Sequence, residues 1–406
     1  MMSTLEAGDI IAGRYQAEEF LGAGGVARAW RCRDTQTGER VVVKAPNYES
    51  NNDPRVVRES IEREIEVLEA IRDAGGHPNL MGLVARTSDG GQPVLVVDYI
   101  DGENLYSMVK RRNGFTNSED VRRVGIALCK AMSFLHENEI IYRDLKPDNV
   151  MITANTTPIL IDFNTAKGFV PDASDAGTVI PNPIYKPPEL NNDPDLVGFR
   201  QGPWSDVYSI GKVLVFLFSA SAPDGNAIDP RDYPGTRSVP RYLAEIIEQA
   251  TAAHRDDRYR NATVLARLLE TRTATPPDVA TITTLPAGTT YDLYPGDTVG
   301  RESEDGPQPA IAIEDPGNYI SAVQIQFEAD ADGTWYLRDR SLNGTYVRRG
   351  ETLYRILSAR GKDRLRETDA TSTRELAALD ERMPLKPDDE IALVHPSYDV
   401  RFRFRA

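Results

Sequence analysis

The stretch YRDLKPDNV, residues 142–150, decides the fold when it is taken with LIDFN, residues 160–164, a short way down the chain. The first stretch contains Asp144, Lys146 and Asn149, and the second is an apolar run that reaches Asp162 near its end. These side chains supply a base, a cation and two oxygen ligands of the kind that Mg²⁺ prefers. A charged turn between a helix and a strand contains similar residues by chance, so further parts of such a site are needed to separate the two interpretations.

A glycine turn near the N-terminus is the first of these parts. The segment LGAGGVARA, residues 21–29, places Gly22, Gly24 and Gly25 where backbone N–H groups can approach phosphate oxygens. Lys44 follows at the end of a strand-like segment, VVVKA. Each feature is weak alone, because glycine turns between strands are common and a strand lysine is often a solubilising charge on an edge.

Glu64 strengthens this set. Residues 54–73 are predicted to form a helix whose buried stripe consists of Val57, Ile61, Ile65 and Leu68. Glu64 lies on that stripe, and a carboxylate on an apolar face requires a partner or must protonate. We predict Lys44 as that partner, with Glu62 and Glu66 as the alternatives on neighbouring faces of the helix.

Composition limits the class of protein. The chain has 406 residues, which suggests two or three domains, and its formal charge of -15 argues against binding to nucleic acids or anionic membranes. Cys32 and Cys129 have no nearby zinc ligands and are predicted to be core residues. The apolar run VYSIGKVLVFLFSASA contains Lys212 and is too short to span a bilayer, so it is predicted to be a buried helix. Since the N-terminus has acids where a signal peptide is basic, we expect a cytoplasmic protein without membrane insertion.

Over residues 14–270 these features resemble the protein kinase family. The resemblance implies an α+β, bilobal fold, with a small lobe of antiparallel sheet and one helix, a larger helical lobe, and ATP between them. By that resemblance Lys44 would hold the α- and β-phosphates and pair with Glu64, and Asp144 would accept the proton of the substrate hydroxyl. Lys146 would contact the transferred phosphate, and a lysine in RDLKPDN is typical of kinases that act on Ser and Thr.

The same resemblance implies a nucleotide site and a metal site. Val97 lies where the family has its gatekeeper, and the metal ligands would be Asn149 and Asp162, for Mg²⁺ or for Mn²⁺ in its place. The nucleotide-binding residues so implied are Leu21, Gly22, Gly24, Gly25, Ala29, Lys44, Val97, Asp98, Ile100, Asn149 and Asp162. Farther along, three more features match family motifs: YKPPE at residues 185–189, Asp206 in DVYSIG, and Arg258, which would pair with Glu189.

Departures from the family pattern stand beside these matches. Ala27 replaces the third glycine of the turn, Tyr142 a usual His, Asn182 a common Thr, and Asn164 the Gly of DFG. Because Asn tolerates the unusual dihedral angles that Gly permits, we expect Asn164 to tune how readily its segment changes between active and inactive forms. None of the departures removes a charge that handles phosphate or metal. This favours an active kinase that phosphorylates Ser and Thr residues of proteins. The alternative is a pseudokinase that acts as a binding scaffold.

The chain changes character after residue 270. Residues 271–290 are rich in Thr and Pro and are predicted to be a linker, and residues 291–406 are predicted to be all-β, with DG and NG hairpin signals. The segments TVGR, YISAVQIQF and SLNGTYV resemble the signature stretches of FHA domains, β-sandwiches that bind phosphothreonine. By that resemblance Arg301, Ser321 and Asn343 would hold the phosphate, although a hairpin alone also explains Asn343.

Two further features of this region bear on its role. Ala322 and Gln324 depart from the FHA pattern. The alternative to a phosphothreonine-binding domain is therefore a protein-docking module without a phosphate site. Residues 351–383 are predicted to be an insertion, with helical character in the second half of its charged part.

The predicted linker also suggests a ligand for that domain. Autophosphorylation there, or at Ser174 or Thr178 in the predicted activation segment, would create a partner for Arg301 in the same or in another molecule. A plain linker is the simpler interpretation of any single threonine, and the oligomeric state stays open. The linker threonines are Thr271, Thr273, Thr275, Thr281, Thr283 and Thr284.

Overall fold

The structure is a computed structural model that describes most of the chain. The described residues are 5–50, 52–168, 184–190, 201–236, 238–274, 280–302, 309–315, 317–330, 333–368, 376, 378–398 and 400–406. Four residues that the sequence singled out, Ser174, Thr178, Asn182 and Thr275, lie outside these ranges.

The N-terminal part is an antiparallel sheet of six strands in the order β1-β2-β3-β4-β6-β5, with one helix packed on it. Side chains alternate between the faces of a strand, so Val41 and Val43 enter a core on one face while Val42 and Lys44 lie on the other. The helix begins after Asp53, whose carboxylate accepts a hydrogen bond from the Arg55 N–H at 2.8 Å. The elements are Ile10–Ile11 (β1), Tyr15–Ala23 (β2), Ala27–Asp34 (β3), Arg40–Pro46 (β4), Pro54–Asp73 (α1), Leu83–Asp89 (β5) and Gln92–Asp98 (β6).

The middle part is mostly helical and shares its core with the sheet's helix. Its elements are Gly102–Asn104 (β7), Leu105–Arg112 (α2), Ser118–Glu137 (α3), Ile140–Ile141 (β8), Val150–Thr153 (β9), Pro158–Leu160 (β10), Lys167–Gly168 (β11), Pro203–Ser219 (α4), Arg241–Ala250 (α5) and Ala262–Thr271 (α6). The short strands form a three-stranded sheet in the order β10-β9-β7 and a pair of β11 with β8. Together with the N-terminal sheet, this arrangement gives the α+β, two-lobed fold that the sequence predicted.

Helix α4 is the apolar run that the sequence placed in the interior, and the structure confirms that it is buried. Lys212 lies within it, and its ammonium donates to the carbonyl oxygens of Gly225 at 2.7 Å and Pro223 at 3.2 Å. A buried lysine is costly unless its donors are satisfied, so these carbonyls explain how the helix accommodates the charge. Among the described residues, none of the helices combines the length and apolar character needed to cross a membrane.

The C-terminal part is a sandwich of two sheets, as predicted. One has the order β13-β12-β22-β21-β18-β19 and the other β15-β14-β16-β17-β20. Both contribute to one core, in which the rings of Phe327 and Phe404 stack with centroids 6.5 Å apart. The elements are Ala280–Leu285 (β12), Thr290–Leu293 (β13), Thr298–Arg301 (β14), Ile311–Ile313 (β15), Ile325–Ala329 (β16), Trp335–Asp339 (β17), Thr345–Arg349 (β18), Thr352–Ile356 (β19), Ala359–Thr368 (α7), Arg382–Pro384 (β20), Glu390–Leu393 (β21) and Arg401–Arg405 (β22).

The predicted linker differs from the structure in its second half. Strand β12 pairs with both β13 and β22, so residues 280–285 belong to the sandwich. The physical reason is the alternation of buried Ala280 and Ile282 with threonines, because β-branched Thr is a good strand former as well as a common linker residue.

The predicted insertion at residues 351–383 also has different bounds. Strand β19 at one end pairs with β18, and β20 at the other end pairs with β17, so both ends belong to the sheets. The helix α7 lies in the first half of the charged segment. In the second half, where the sequence predicted helical character, residues 373–375 and 377 lie outside the described ranges and Leu376 is helical.

Candidate active site and loop face

Lys44 lies at the centre of a cluster of charges formed by β4, α1 and the segment after β10. Its ammonium is 2.6 Å from Oε1 of Glu64 and 3.9 Å from Oδ1 of Asp162. We call Lys44, Glu64 and Asp162 the cleft cluster. The side chains of Lys44 and Glu64 are 14% and 2% exposed, so the pair is almost inaccessible to solvent. Burial disfavours the charge on Lys44, but the carboxylates of Glu64 and Asp162 outweigh it and raise the pKa of the lysine.

The segment that contains Asp162 is held in place by contacts of the next residue, Phe163. The Phe163 N–H donates to Oε1 of Glu64 at 3.4 Å, and the Phe163 ring packs edge-on against Tyr142 with centroids 5.5 Å apart. Asn164 donates its N–H to Oδ1 of Asp162 at 3.2 Å. From the sequence we expected Asn164 to adopt the unusual dihedral angles that Gly permits. It is not among the residues with positive φ, so this position does not require them.

The loop that contains Asp144 gathers the next set of groups. Oδ2 of Asp144 accepts hydrogen bonds from Nζ of Lys146 at 2.6 Å and from Nδ2 of Asn149 at 3.0 Å. Nδ2 of Asn149 also donates to the backbone oxygen of Asp144 at 2.9 Å, which leaves Oδ1 as the atom of Asn149 able to bind a cation. Burial raises the pKa of Asp144, and Lys146 opposes that rise, so the carboxyl is a stronger base than an exposed aspartate.

Asp206 fixes the backbone at the start of this loop. Its carboxylate, fully buried in α4, accepts from the N–H of Tyr142 at 2.9 Å and from that of Arg143 at 2.8 Å, and it bonds Nε2 of His136 at 2.8 Å. Arg143 has a φ of 73°, which is unfavourable for a residue with a side chain. The conformation persists because the N–H groups of Arg143 and of the preceding Tyr142 are both bonded to Asp206. His136, at the end of α3, was missed by sequence reasoning, because nothing in local spacing links it to a residue so distant in the chain.

The glycine turn is held by two side chains that the sequence did not identify. Nδ2 of Asn47 donates to the carbonyl oxygen of Gly24 at 2.6 Å, and Nδ2 of Asn52 donates to that of Gly25 at 2.7 Å. Gly22 has a φ of 152°, a conformation that side chains rarely adopt. The turn is therefore shaped by its glycines and held by amides from the segment after β4.

The remaining predicted nucleotide residues lie on β2, β3 and around the end of β6. Ala29 pairs directly with Lys44 across β3 and β4, and Leu21 is 46% exposed on β2. Val97 is fully buried near the end of β6, and Asp98 closes that strand by exchanging hydrogen bonds with the backbone of Gly82. Ile100 is half-buried just beyond that strand, where the chain passes from the sheet to the helical part.

In the C-terminal sandwich, Arg301 and Asn343 flank one short loop, residues 318–321, which ends at Ser321, and we call these three residues the loop face. Nε of Arg301 donates to the Ile320 oxygen at 3.3 Å and Nδ2 of Asn343 to the Tyr319 oxygen at 2.7 Å, while Oγ of Ser321 accepts from the Leu342 N–H at 3.4 Å. Their convergence is the arrangement that a phosphate site needs.

Two further residues shape the loop face. Gly300 permits the close approach of the loop, since a Cβ there would lie 2.0 Å from the Ala322 oxygen. Gln324 joins the two halves of the face: its Oε1 accepts from the Ser321 N–H at 2.9 Å, and its Nε2 donates to the Gly344 oxygen at 2.9 Å. Because Gln324 is fully buried, it acts as an internal brace, and its departure from the FHA pattern leaves the framework intact.

Comparison with known families agrees with this geometry. The family model described as protein kinase domain matches residues 15–269. The chain belongs to the protein kinase family. A second model, described as FHA domain, matches residues 298–369, so a kinase domain is followed by an FHA domain.

Several bacterial kinases are similar to the chain. Serine/threonine-protein kinase C of Synechocystis is 29% identical over 277 residues, which cover 64% of this chain and 50% of that protein. Serine/threonine-protein kinase PknB of Mycobacterium leprae is 29% identical over 293 residues, which cover 68% of this chain and 45% of that protein. The chain thus spans about half the length of the curated relatives that it matches.

A solved structure shows the same fold. The apo form of PpkA-294 superposes with a TM-score of 0.52 at 20% identity, covering 66% of this chain and 99% of that chain. At this identity the likeness concerns the fold alone.

Within the kinase domain, Glu189 and Arg258 form a buried ion pair. The two guanidinium Nη atoms lie 2.8 and 3.0 Å from the carboxylate oxygens, and Ser205 adds a hydrogen bond to Glu189 at 2.8 Å. Arg258 also donates to the carbonyl oxygens of Ala252 and Ala253, so its donors are satisfied without solvent. The pair joins the short helical turn Pro188–Leu190 to the segment between α5 and α6.

Proposed function

We propose that the chain is an ATP-dependent protein kinase that phosphorylates Ser and Thr hydroxyls and whose FHA domain binds phosphothreonine. The observation that carries the first part is the intact cleft cluster: Lys44 contacts Glu64 and lies within 4 Å of Asp162, with Asp162 bonded to the backbone of the following segment. Phosphoryl transfer depends on positioning and on electrostatic stabilisation, and both need these charges to be in place.

Each charged residue has a role that follows from its surroundings. The charge of Lys44 is oriented by Glu64 and would bind phosphate oxygens. Asp144 is held by Lys146 and Asn149, and its raised pKa suits a base that accepts a proton from a substrate hydroxyl. Lys146, 16% exposed, would then meet the negative charge of the transferred group.

The residues present also fit ATP with a divalent cation. Asp162 is 30% exposed and offers carboxylate oxygens, and Asn149 offers its Oδ1. Among the described residues no group of three His, Cys, Asp or Glu side chains could hold a metal, so these two ligands would depend on phosphate oxygens to complete the coordination. A cation bound there, Mg²⁺ or Mn²⁺, would neutralise charge on the phosphates.

We assign the domain boundaries as residues 14–270 for the kinase domain and 280–406 for the FHA domain. For the latter, we propose a phosphothreonine on a partner or on the connecting segment as the ligand. Thr271 and Thr273 are exposed at the end of α6, whereas Thr281, Thr283 and Thr284 lie in β12 between two paired strands. A residue in a paired strand is harder for a kinase to reach, so Thr271 and Thr273 are the better candidates among these.

An autophosphorylation assay with radiolabelled ATP tests the proposed activity. We compare the native chain with Asp144→Asn and Asp162→Asn, and identify the labelled amino acid after hydrolysis. Label on Ser or Thr that falls at least about a thousandfold in both variants supports the kinase, since each loss removes a charge from the transfer step. Equal label in all three proteins would leave the pseudokinase scaffold as the better account.

A further inference from the structure

Helix α7 is anchored beside the loop face. Its first turn follows Ser358, whose N–H donates to Oδ2 of Asp339 at 2.8 Å and whose hydroxyl donates to the Ser341 oxygen. The Gly361 N–H returns to Oγ of Ser358 at 3.0 Å, and a Cβ at Gly361 would lie 3.0 Å from the Ser341 oxygen. Residues 339–341 lead directly into the turn that contains Asn343, so the helix has a fixed place next to it.

Arg364 projects from α7 onto Asn343. Its Nη1 donates to Oδ1 of Asn343, while Nδ2 of the same amide donates to the Tyr319 oxygen at 2.7 Å. On the other side, Arg301 donates to the Ile320 oxygen and to Oδ1 of Asn318. Two guanidinium groups from separate parts of the chain therefore flank one four-residue loop.

The chemistry of a phosphomonoester favours two such cations. A phosphothreonine carries a charge of about -1.5 to -2 near neutral pH and three acceptor oxygens, and guanidinium groups bind it through paired N–H donors. Ala322 offers no side-chain donor on the loop, and the amide of Asn343 already has both ends bonded. Arg364 therefore brings a second guanidinium to the loop face, on the side of Asn343.

We propose that Arg364 is a second phosphate-binding residue of the FHA domain, delivered by α7, and that it acts with Arg301 on a phosphothreonine peptide. This inference rests on the proposed phosphothreonine recognition and deepens it. The residue comes from the segment that was predicted to be an insertion and whose role the sequence does not reveal. In this arrangement α7 determines which peptides reach the loop face.

The test measures binding of a degenerate peptide pool with a fixed central phosphothreonine, by fluorescence anisotropy on the full chain. All proteins have the Asp144→Asn change, so that no self-phosphorylated residue competes for the site. Arg364→Ala should weaken binding about tenfold, which corresponds to about 1.4 kcal/mol. Arg364→Lys should lose less, since it keeps the charge and loses the paired donors, and Arg301→Ala should lose the most. The matched control is Arg366→Ala, on the same helix but paired with Asp363 at 2.7 Å, and it should bind like the parent.

Each result decides one point. If Arg364→Ala and Arg364→Lys bind like the parent while Arg301→Ala does not bind, the role of Arg364 is overturned and phosphothreonine recognition stands. If the parent binds the phosphorylated pool no better than the unphosphorylated pool, recognition itself fails, and this inference fails with it. Equal losses in Arg364→Ala and Arg366→Ala would indicate a general charge effect of α7 and would also overturn the role. Melting temperatures of the variants exclude misfolding as the cause of a loss.

Discussion

The cleft cluster and the loop face are both sets of polar groups suited to phosphate, but they are stabilised differently. In the cleft, the ammonium of Lys44 and the carboxylate of Glu64 are buried and neutralise each other at 2.6 Å. On the loop face, Arg301 and Asn343 bond backbone oxygens of one loop at the surface. The first arrangement is held by opposite charges that have lost their water, and the second by backbone hydrogen bonds.

The difference predicts how each region responds to change. Removing one partner of a buried charge pair leaves the other unpaired in a medium of low polarity, which is costly. Removing one donor from an exposed face leaves groups that water can satisfy, so the loss is smaller and local. A single substitution in the cleft cluster should therefore cause a large loss of activity. A single substitution on the loop face should cause a smaller loss of binding.

Apart from the two aspartate changes of the autophosphorylation assay, Glu64→Gln should have the largest effect. The amide keeps the shape but removes the charge that orients Lys44, leaving the ammonium with the carboxylate of Asp162 at 3.9 Å and the carbonyl oxygen of Ile161 at 3.5 Å. We expect kcat/KM to fall about 100-fold, or about 2.7 kcal/mol, measured with a peptide substrate under steady-state conditions. Glu66→Gln, on the same helix but exposed, is the matched control and should be neutral. A loss of less than threefold in Glu64→Gln would show that the pair does not orient the lysine.

Gln324→Ala should have the next largest effect, on the stability of the FHA domain. It would leave the part-buried Ser321 N–H and the buried Gly344 oxygen without their partner, which costs about 2–3 kcal/mol. In calorimetry of the full chain, the FHA transition should fall by roughly 10 °C while the kinase transition stays in place. Gln324→His, which restores a donor and an acceptor, should recover part of the loss. An unchanged FHA transition in Gln324→Ala would contradict the bracing role.

Asp297→Asn tests the junction between the two domains. Asp297 of the FHA domain is fully buried and lies 3.1 Å from Arg260 and 3.4 Å from Nδ2 of Asn261, both of the kinase domain. Burial raises the pKa of this carboxyl from 3.8 to about 6, although Arg260 opposes the rise. Because the folded pKa is the higher one, its contribution to stability is present below pH 3.8 and is lost as the pH rises through about 6.

The measurement is the melting temperature from pH 4 to 7.5. The native chain should lose stability relative to Asp297→Asn across this window, by an amount on the order of 2–3 kcal/mol. Asp292→Asn, an exposed neighbour, provides the control and should follow the native curve. Parallel curves for the native chain and Asp297→Asn would mean that Asp297 is ionised at no cost in the folded protein.

Asn164→Gly should have the smallest effect. The hydrogen bond from the backbone N–H of Asn164 to Asp162 survives this change, and φ is already in the ordinary range. The added backbone freedom of glycine costs roughly 0.5–1 kcal/mol, so the autophosphorylation lag should lengthen by about fivefold at most. Alanine at the same position is the comparison and should behave like Asn. A lag and a rate that both stay unchanged would make Asn164 a tolerated substitute only.

Much of the fold could be predicted because its signals are local. The helical spacing of Val57, Ile61 and Leu68 placed Glu64 on the buried face of α1, and the structure has it there. The DG and NG turns and the alternating pattern after residue 290 similarly indicated a β domain. The start of that domain was misplaced by about ten residues, because threonines suit both a linker and a strand such as β12.

The supporting residues of both regions could not be predicted in the same way. His136 bonds Asp206 from seventy positions away, Asn47 and Asn52 hold the glycine turn, and Gln324 braces a turn twenty residues farther on. Their side chains are common in any soluble protein, and only folding brings them to their partners. The helix α7 is a similar case, since its charged sequence has no apolar stripe that would indicate where it packs.

The sequence by itself determined the class of this protein and the identity of its charged groups, because the short motifs around Asp144 and Asp162 and the helical position of Glu64 depend on neighbours in the chain. Only the tertiary structure decided that Lys44 and Glu64 meet, that Asp297 is buried against Arg260, and that Arg364 lies on the loop face. The physical reason is that periodicity sets which way a side chain faces within its own element, whereas contacts between distant elements depend on how the whole chain packs.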